Sequence, residues 1–337
     1  MILGSSLNRV LAALRDLLCI DTHIVELKPL PRRGSQREFF RLKLENELTF
    51  ILVIYDPQRV ENTYYTNIAH FLKEIGIPVP SIILNLEKEN LIVIEDLGEK
   101  DLYSFREMNW EKIKPIYEKV ISSIVKLHAY PPSQFPYSRV KISEGFNEWL
   151  YRWEREYFIE NFVNDIVSLE VRSPLLKELE KEFEKLTQEL MRIPSCLIHR
   201  DLQAQNIMVK NNSIYLIDFQ GMRLGNPFYD IGSLLFDPYV ALPQKARDEL
   251  LELYCKEQTQ PISIQKARYA VTKASIQRLM QALGAFGFLS KKKGLHEFLT
   301  HIPRALENLY YLLSLDDQMK NLRELVTECA LKHGLKL

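Results

Sequence analysis

The chain has no excess of either charge: its 337 residues carry 44 Lys and Arg against 44 Asp and Glu. No overall field draws it to nucleic acid or to an anionic membrane, and a small, modestly charged partner fits better. Cysteine is scarce, and Cys19, Cys196, Cys255 and Cys329 lie far apart. No pair has zinc or redox spacing, which leaves reduced thiols used in packing and an expected cytoplasmic location. No apolar run approaches the length of a membrane span. The N-terminal stretch MILGSSLNRVLAALRDLL is interrupted by Asn8, Arg9, Arg15 and Asp16, so it reads as an amphipathic helix rather than a signal peptide. Internal repeats and low-complexity tracts are also lacking, and nothing marks an obligate protein partner. What remains is enough chain for two lobes with separate cores.

The first part is β-rich. HIVELKPL, REFFRLKL and TFILVIY, separated by PRRGSQ and ENEL, predict a meander of three short strands. ENTYYTNIAHFLKEIG then places Tyr64, Ile68, Phe71, Leu72 and Ile75 at helical spacing before Gly76, and SIILNL and NLIVIEDL are two further strands. After Gly98 the pattern changes to helices over 110–130, 144–170 and 173–192, with charged outer faces. The expected division is 1–97 and 98–337. Inside the helical part, SCLIH and SIYLID predict two short strands with KNN as a turn between them, and KKKG at 291–294 reads as a surface turn.

After the first of those strands stands HRDLQAQNIM (199–208), and the second runs into LIDFQ (216–220). Asp201 and Asn206 fall on the loop entering a hairpin and Asp218 at its exit. Two carboxylates and an amide of this kind suit Mg²⁺, a hard cation held by a few oxygens, with phosphates and water completing its shell. His199, Arg200, Asp201, Asn206, Asp218 and Phe219 match the H-R-D, N and D-F intervals of kinase catalytic and metal loops.

With these residues, and with GSQREFFRL, IGIPVPSII, LIVIEDLGE, LGNPFYDIGSLLFD, QRLMQALGAFGFL and HIPRALENL, the chain resembles the aminoglycoside phosphotransferase-like family of small-molecule kinases. Within it, the chain is most similar to the sugar kinases that phosphorylate N-acetylmuramate or N-acetylglucosamine at the anomeric hydroxyl. The resemblance implies an α+β, protein-kinase-like bilobal fold, with a small antiparallel-sheet nucleotide lobe and a mainly helical catalytic lobe. It implies ATP and Mg²⁺, Asp201 as catalytic base, and Asn206 and Asp218 as metal ligands. Gly34, Ser35 and Arg37 would meet the ATP phosphates, and the Glu95, Asp96 and Leu97 backbone the adenine. His199 and Arg200 would brace the catalytic loop. Asp230 is either a buried anchor of that loop or a helix N-cap, and Asp237 a cap or turn residue. Gln203 and Arg278 would approach the sugar, and FNEWLYRWEREYF would line its cleft.

Two features depart from most kinases. The third strand, TFILVIYDP, has no Lys, and the following helix offers only Glu61 and Glu74 near its ends. Arg32, Arg33, Arg37 and Arg41 are the alternative phosphate cations, with Arg37 and Arg41 on one face of a strand. The span from Asp218 to Asp230 is too short for an activation segment, and Gln220 replaces the Gly of D-F-G, which argues against a protein kinase. Beside the amino-sugar kinase stand an aminoglycoside or other small-alcohol kinase and a catalytically inactive, nucleotide-binding pseudokinase. Aminoglycosides are polycations, whereas residues 98–337 are close to charge-balanced.

Overall fold

The structure, a computed structural model, describes residues 2–19, 21–31, 37–171 and 173–335. The chain begins with α1 (Ile2–Leu18), followed by β1 (Ile24–Pro29), β2 (Glu38–Leu44), β3 (Thr49–Ile54), α2 (Tyr65–Glu74), β4 (Ile82–Leu86) and β5 (Leu91–Glu95). The five strands form one antiparallel sheet in the order β1-β2-β3-β5-β4. TFILVIY reads as an unbroken apolar run because successive side chains enter different cores. Phe50 and Leu52 pack with Val10 and Leu14 of α1, while Ile51 and Val53 pack toward Ile68 and Leu72 of α2. The amphipathic N-terminal helix therefore covers one sheet face and α2 the other. Gly76, at φ +74°, supplies the left-handed residue that ends α2.

Beyond β5 the chain is mainly helical: α3 (Trp110–Ala129), α4 (Glu148–Phe158) and α5 (Ser173–Met191) precede the short strands β6 (Cys196–Ile198), β7 (Ile207–Lys210), β8 (Ser213–Leu216) and β9 (Arg223–Gly225). Then come α6 (Pro227–Leu235), α7 (Gln244–Glu257), α8 (Ile264–Lys293), α9 (Ile302–Ser314) and α10 (Lys320–Lys332). A five-stranded antiparallel sheet followed by helices is the protein-kinase-like architecture. The hairpin pairing differs from expectation. SIYL pairs with Ile207–Lys210, and Cys196–Ile198 pairs instead with Arg223–Gly225. Strands of three or four residues carry too little pattern to specify a partner.

Two helical boundaries also move. Residues 143 and 146 donate backbone hydrogen bonds to Met222 and Leu224, so α4 starts only after this extended stretch, at Asn147, which caps it. A π-helical turn (Ile159–Asn164) continues it. Lys291 to Lys293 form the last turn of α8, where cations complement the exposed carbonyls, and Gly294 closes the helix. α8 is buried along most of its length, and its crossing with α4 is close. A Cβ on Gly287 would run into the Asn161 carbonyl oxygen, and one on Gly284 would lie 2.9 Å from that of Tyr157. Cys196 and Cys329 are buried free thiols, while Cys19 is exposed. Among the described residues no helix is long and apolar enough to cross a membrane.

Candidate active site

The loop leaving β6 is held in an unfavourable shape by buried side chains. Arg200 has φ +77°, in the left-handed region that non-glycine residues seldom occupy. The fully buried Asp230 of α6 accepts hydrogen bonds from the His199 N–H at 2.6 Å and the Arg200 N–H at 2.8 Å. His128 of α3 donates to the same carboxylate at 3.2 Å through Nε2, and its Nδ1 meets the Tyr254 hydroxyl of α7 at 2.9 Å. The N-cap of α6 is Asn226, whose side chain accepts from the Phe228 N–H. A second anchor is Asp237, which accepts from the Ala204 N–H at 2.6 Å and the Tyr239 N–H at 2.9 Å. Only backbone donors meet it, so burial pushes its carboxyl up to about 6. His199 Nε2 donates to the Ile217 carbonyl at 3.0 Å, tying this loop to the segment before Asp218.

Asp201 projects from the anchored loop between two guanidinium groups, Arg200 at 3.0 Å and Arg278 of α8 at 3.3 Å. Burial alone would raise its carboxyl, but Arg200 and Arg278 overcome it and bring the group down to about 2. Its backbone carbonyl accepts from Asn206 Nδ2 at 2.9 Å. Arg278 also donates to Ser233 and, at 3.3 Å, to Gln203. Glu154 of α4, fully buried, accepts from the Tyr229 hydroxyl at 2.9 Å and from Gln277 at 3.0 Å, with Arg200 at 4.0 Å. Burial raises this carboxyl.

Asp218 has φ +63° and turns its carboxylate toward the sheet, where Arg37 ion-pairs with it and Gln220 donates at 2.9 Å. Burial raises its carboxyl and Arg37 lowers it, with a net fall, while Asp201 lies near enough to oppose that fall by like-charge repulsion. The neighbouring Phe219 is fully buried and stacks on Tyr65 of α2 with 4.5 Å between ring centroids. Arg37 and Arg41 do share a face: Phe39 and Arg41 stand opposite Val53 and Ile51, the residues that point toward α2. Arg41, however, is held by Asp96 at 2.7 Å and Glu99 at 2.6 Å. Glu61 and Glu74 pair with Arg59 and Arg139, so neither faces β3.

At the far end of the cleft, Lys210 Nζ donates to the Asp96 carbonyl at 2.9 Å and lies 3.4 Å from Glu95, which accepts from Ser81 at 3.0 Å. Leu97 is buried. Thus Asp201, Asn206, Asp218, Arg37, His199, Arg200, Asp230, Gln203 and Arg278 form one connected cluster, and Glu95, Asp96 and Leu97 form a second. Gly34 and Ser35, with Arg32 and Arg33, lie outside the described residues. Sequence reasoning missed Glu154, Lys210 and Arg223, and it gave Asp237 too small a part. Glu154 alone left a signal, since it falls at helical spacing between the apolar Tyr151 and Phe158.

Asn206 and Asp218 offer neutral and anionic oxygen, and the repulsion between Asp201 and Asp218 is what a cation would relieve. Among the described residues no group of three or more His, Cys, Asp or Glu gathers as a metal cage. Asn206 and Asp218 suit Mg²⁺, which takes few protein ligands and keeps phosphate and water in its shell.

An anchored loop carrying a paired Asp, below a small antiparallel sheet, defines a kinase of small molecules. The chain belongs to the phosphotransferase enzyme family, whose model matches residues 26–269. It is 20% identical over 306 residues to an N-acetylmuramate/N-acetylglucosamine kinase of Pseudomonas aeruginosa, covering 89% of this chain and 88% of that protein. Its fold is similar to choline kinase LicA from Streptococcus pneumoniae, with a TM-score of 0.62 and 15% identity over 91% of this chain and 99% of the other. It is also similar to the ADP-bound aminoglycoside phosphotransferase APH(2'')-Ib, with a TM-score of 0.59 and 18% identity over 88% and 94%.

Proposed function

We propose that the protein transfers the γ-phosphate of ATP to the anomeric hydroxyl of an amino sugar of the N-acetylmuramate or N-acetylglucosamine type. On this reading residues 1–97 bind the nucleotide and 98–337 carry the catalytic and acceptor sites. The carrying observation is the Asp201 carboxylate, ionised and fixed between Arg200 and Arg278 on a loop anchored by Asp230 and Asp237. The amino-sugar acceptor is supported by similarity to the Pseudomonas kinase along nearly the whole of both chains.

Asp201 aims the acceptor oxygen and takes its proton. A carboxylate held near 2 is a weak base, so its work is orientation, with proton transfer following as the new O–P bond forms. Asn206 and Asp218 would hold Mg²⁺, which would supply positive charge to offset that of the phosphates. Arg37, which pairs with Asp218, would take over the task of the absent strand Lys by turning to the nucleotide phosphates. The backbone of Glu95 to Leu97 borders the adenine. Gln203 and Arg278 face the acceptor, together with Trp153 and Tyr157 of α4, which stack at 5.1 Å between centroids on a partly exposed face.

Phosphorus NMR with ATP, Mg²⁺ and a panel of N-acetylmuramate, N-acetylglucosamine, other hexoses, choline and kanamycin tests this directly. The expected product is a sugar 1-phosphate that Asp201→Asn no longer forms. Phosphocholine or phosphokanamycin in its place would transfer the acceptor assignment to another alcohol, and no product from any acceptor would favour a pseudokinase.

A further inference from the structure

The cluster around Asp201 contains one cation without an anionic partner. Arg223, the first residue of β9, is 8% exposed. Its Nε donates to the Gly221 carbonyl at 3.0 Å, and its guanidinium lies 5.6 Å from the Phe146 ring centroid. Its two terminal nitrogens make no hydrogen bond or ion pair among the described residues. Among the described residues the other buried arginines each have a polar partner: Arg37 with Asp218, Arg155 with Thr187 and the Phe183 carbonyl, Arg278 with Asp201, Gln203 and Ser233. Burying a guanidinium without a counter-charge is costly, and an anionic ligand would supply the charge that Arg223 lacks beside Asp201. Burial and the like charge of Arg200 both push this group down, to about 10, while Asp201 and Glu154 only partly offset them.

Its position indicates which ligand. Arg37 reaches the cluster from the sheet, the side assigned to ATP. Arg223 reaches it from the helical part, against Phe146, which packs on Tyr151 and Tyr229 at 4.7 and 4.8 Å between centroids. That aromatic wall lowers the local dielectric and strengthens any ion pair formed beside it. With Nε committed to Gly221, the free end of the guanidinium presents two parallel N–H groups, the fork that matches a carboxylate. We propose that Arg223 is a specificity-determining residue that receives a carboxylate on the acceptor, so that the site selects an acidic sugar over its neutral counterpart. This rests on the amino-sugar reading above and names the acceptor more narrowly.

The test compares kcat/KM of the wild-type enzyme for N-acetylmuramate and for the same sugar with its carboxylate converted to a carboxamide. The acid should be favoured about 10- to 100-fold, the range of a charge-assisted hydrogen-bonded pair. In Arg223→Met that ratio should collapse toward one, and Arg223→Lys, which keeps the charge but not the fork, should lie between. Saturation-transfer NMR of both sugars with the wild-type protein should show the same preference, whether or not the variants fold. A wild-type ratio within twofold of one overturns the proposal while leaving the sugar-kinase reading intact. So does a ratio that survives in Arg223→Met. Turnover of neither sugar, with another alcohol phosphorylated, sinks both.

Discussion

The two walls of the cleft hold their charged groups in different ways. On the helical wall, the Asp201 loop is fixed from below by Asp230 and Asp237, and Asp201 is paired with arginines from its own loop and from α8. On the sheet wall, Arg41 is spent on Asp96 and Glu99, and Arg37 finds its partner only by reaching across to Asp218. The Asp201 carboxylate on the helical wall is therefore paired before any ligand arrives. On the proposed reading the sheet wall has one contact, Arg37 with Asp218, that would be exchanged as the nucleotide enters, and the electrostatic work of binding would fall mostly there.

The largest predicted effect lies on the helical wall. Asp201→Asn should lower kcat by about 10²- to 10⁴-fold, the range for loss of a positioned general base, with ATP affinity changed far less. A coupled ADP-release assay beside nucleotide titration checks this. Next comes Asp230→Ala, which strips two backbone N–H groups and His128 of their shared acceptor. A loss of about 3–5 kcal/mol in urea unfolding is expected, as for breaking a buried charged network from one side. A loss under about 1 kcal/mol would mean the loop keeps its shape without this anchor.

Asp237 sharpens the contrast, because it is fully buried where Asp201 keeps 21% of its side chain exposed, and it is met by backbone donors with Arg278 acting only at longer range. Its folded carboxyl stands at about 6 against an ordinary 3.8. The stability this raised group contributes is therefore present below about 3.8 and lost as pH rises through about 6. Asp237→Asn cannot ionise, so the wild type should lose up to about 3 kcal/mol relative to it between pH 4 and 6.5. Thermal melts of both proteins across that range read the difference, and parallel curves would show that the backbone donors keep Asp237 ionised throughout.

The same contrast explains what was legible in the sequence. H-R-D, N and D-F are chemistry at fixed local spacing, and β2, β3 and α2 are long enough for their periodicity to show. The second anchor was not legible, because Asp237 meets Ala204 only through the tertiary fold and an Asp before a Pro reads as a turn residue. Nor was the pairing of β6 with β9, since three-residue strands owe their partner to the helices around them. Arg37 was legible only as one candidate phosphate cation among several, and its apposition to Asp218 spans two distant segments that no local pattern encodes.

That apposition supplies the smallest and most discriminating prediction. If Arg37 serves the nucleotide phosphates, its benefit is the difference between two pairings, one with phosphate and one with Asp218. Arg37→Met should therefore raise the KM for MgATP only about tenfold, less than the loss of an otherwise unpaired charge. The same change releases Asp218 from its competing cation, so the affinity of the nucleotide-free protein for the metal alone should rise, which titration with Mn²⁺ followed by electron paramagnetic resonance measures. Opposite signs for nucleotide and metal are what an exchanged ion pair requires. A fall in both affinities would make Arg37 a structural tie between the walls, because a tie, once cut, would loosen Asp218 and the phosphate site together.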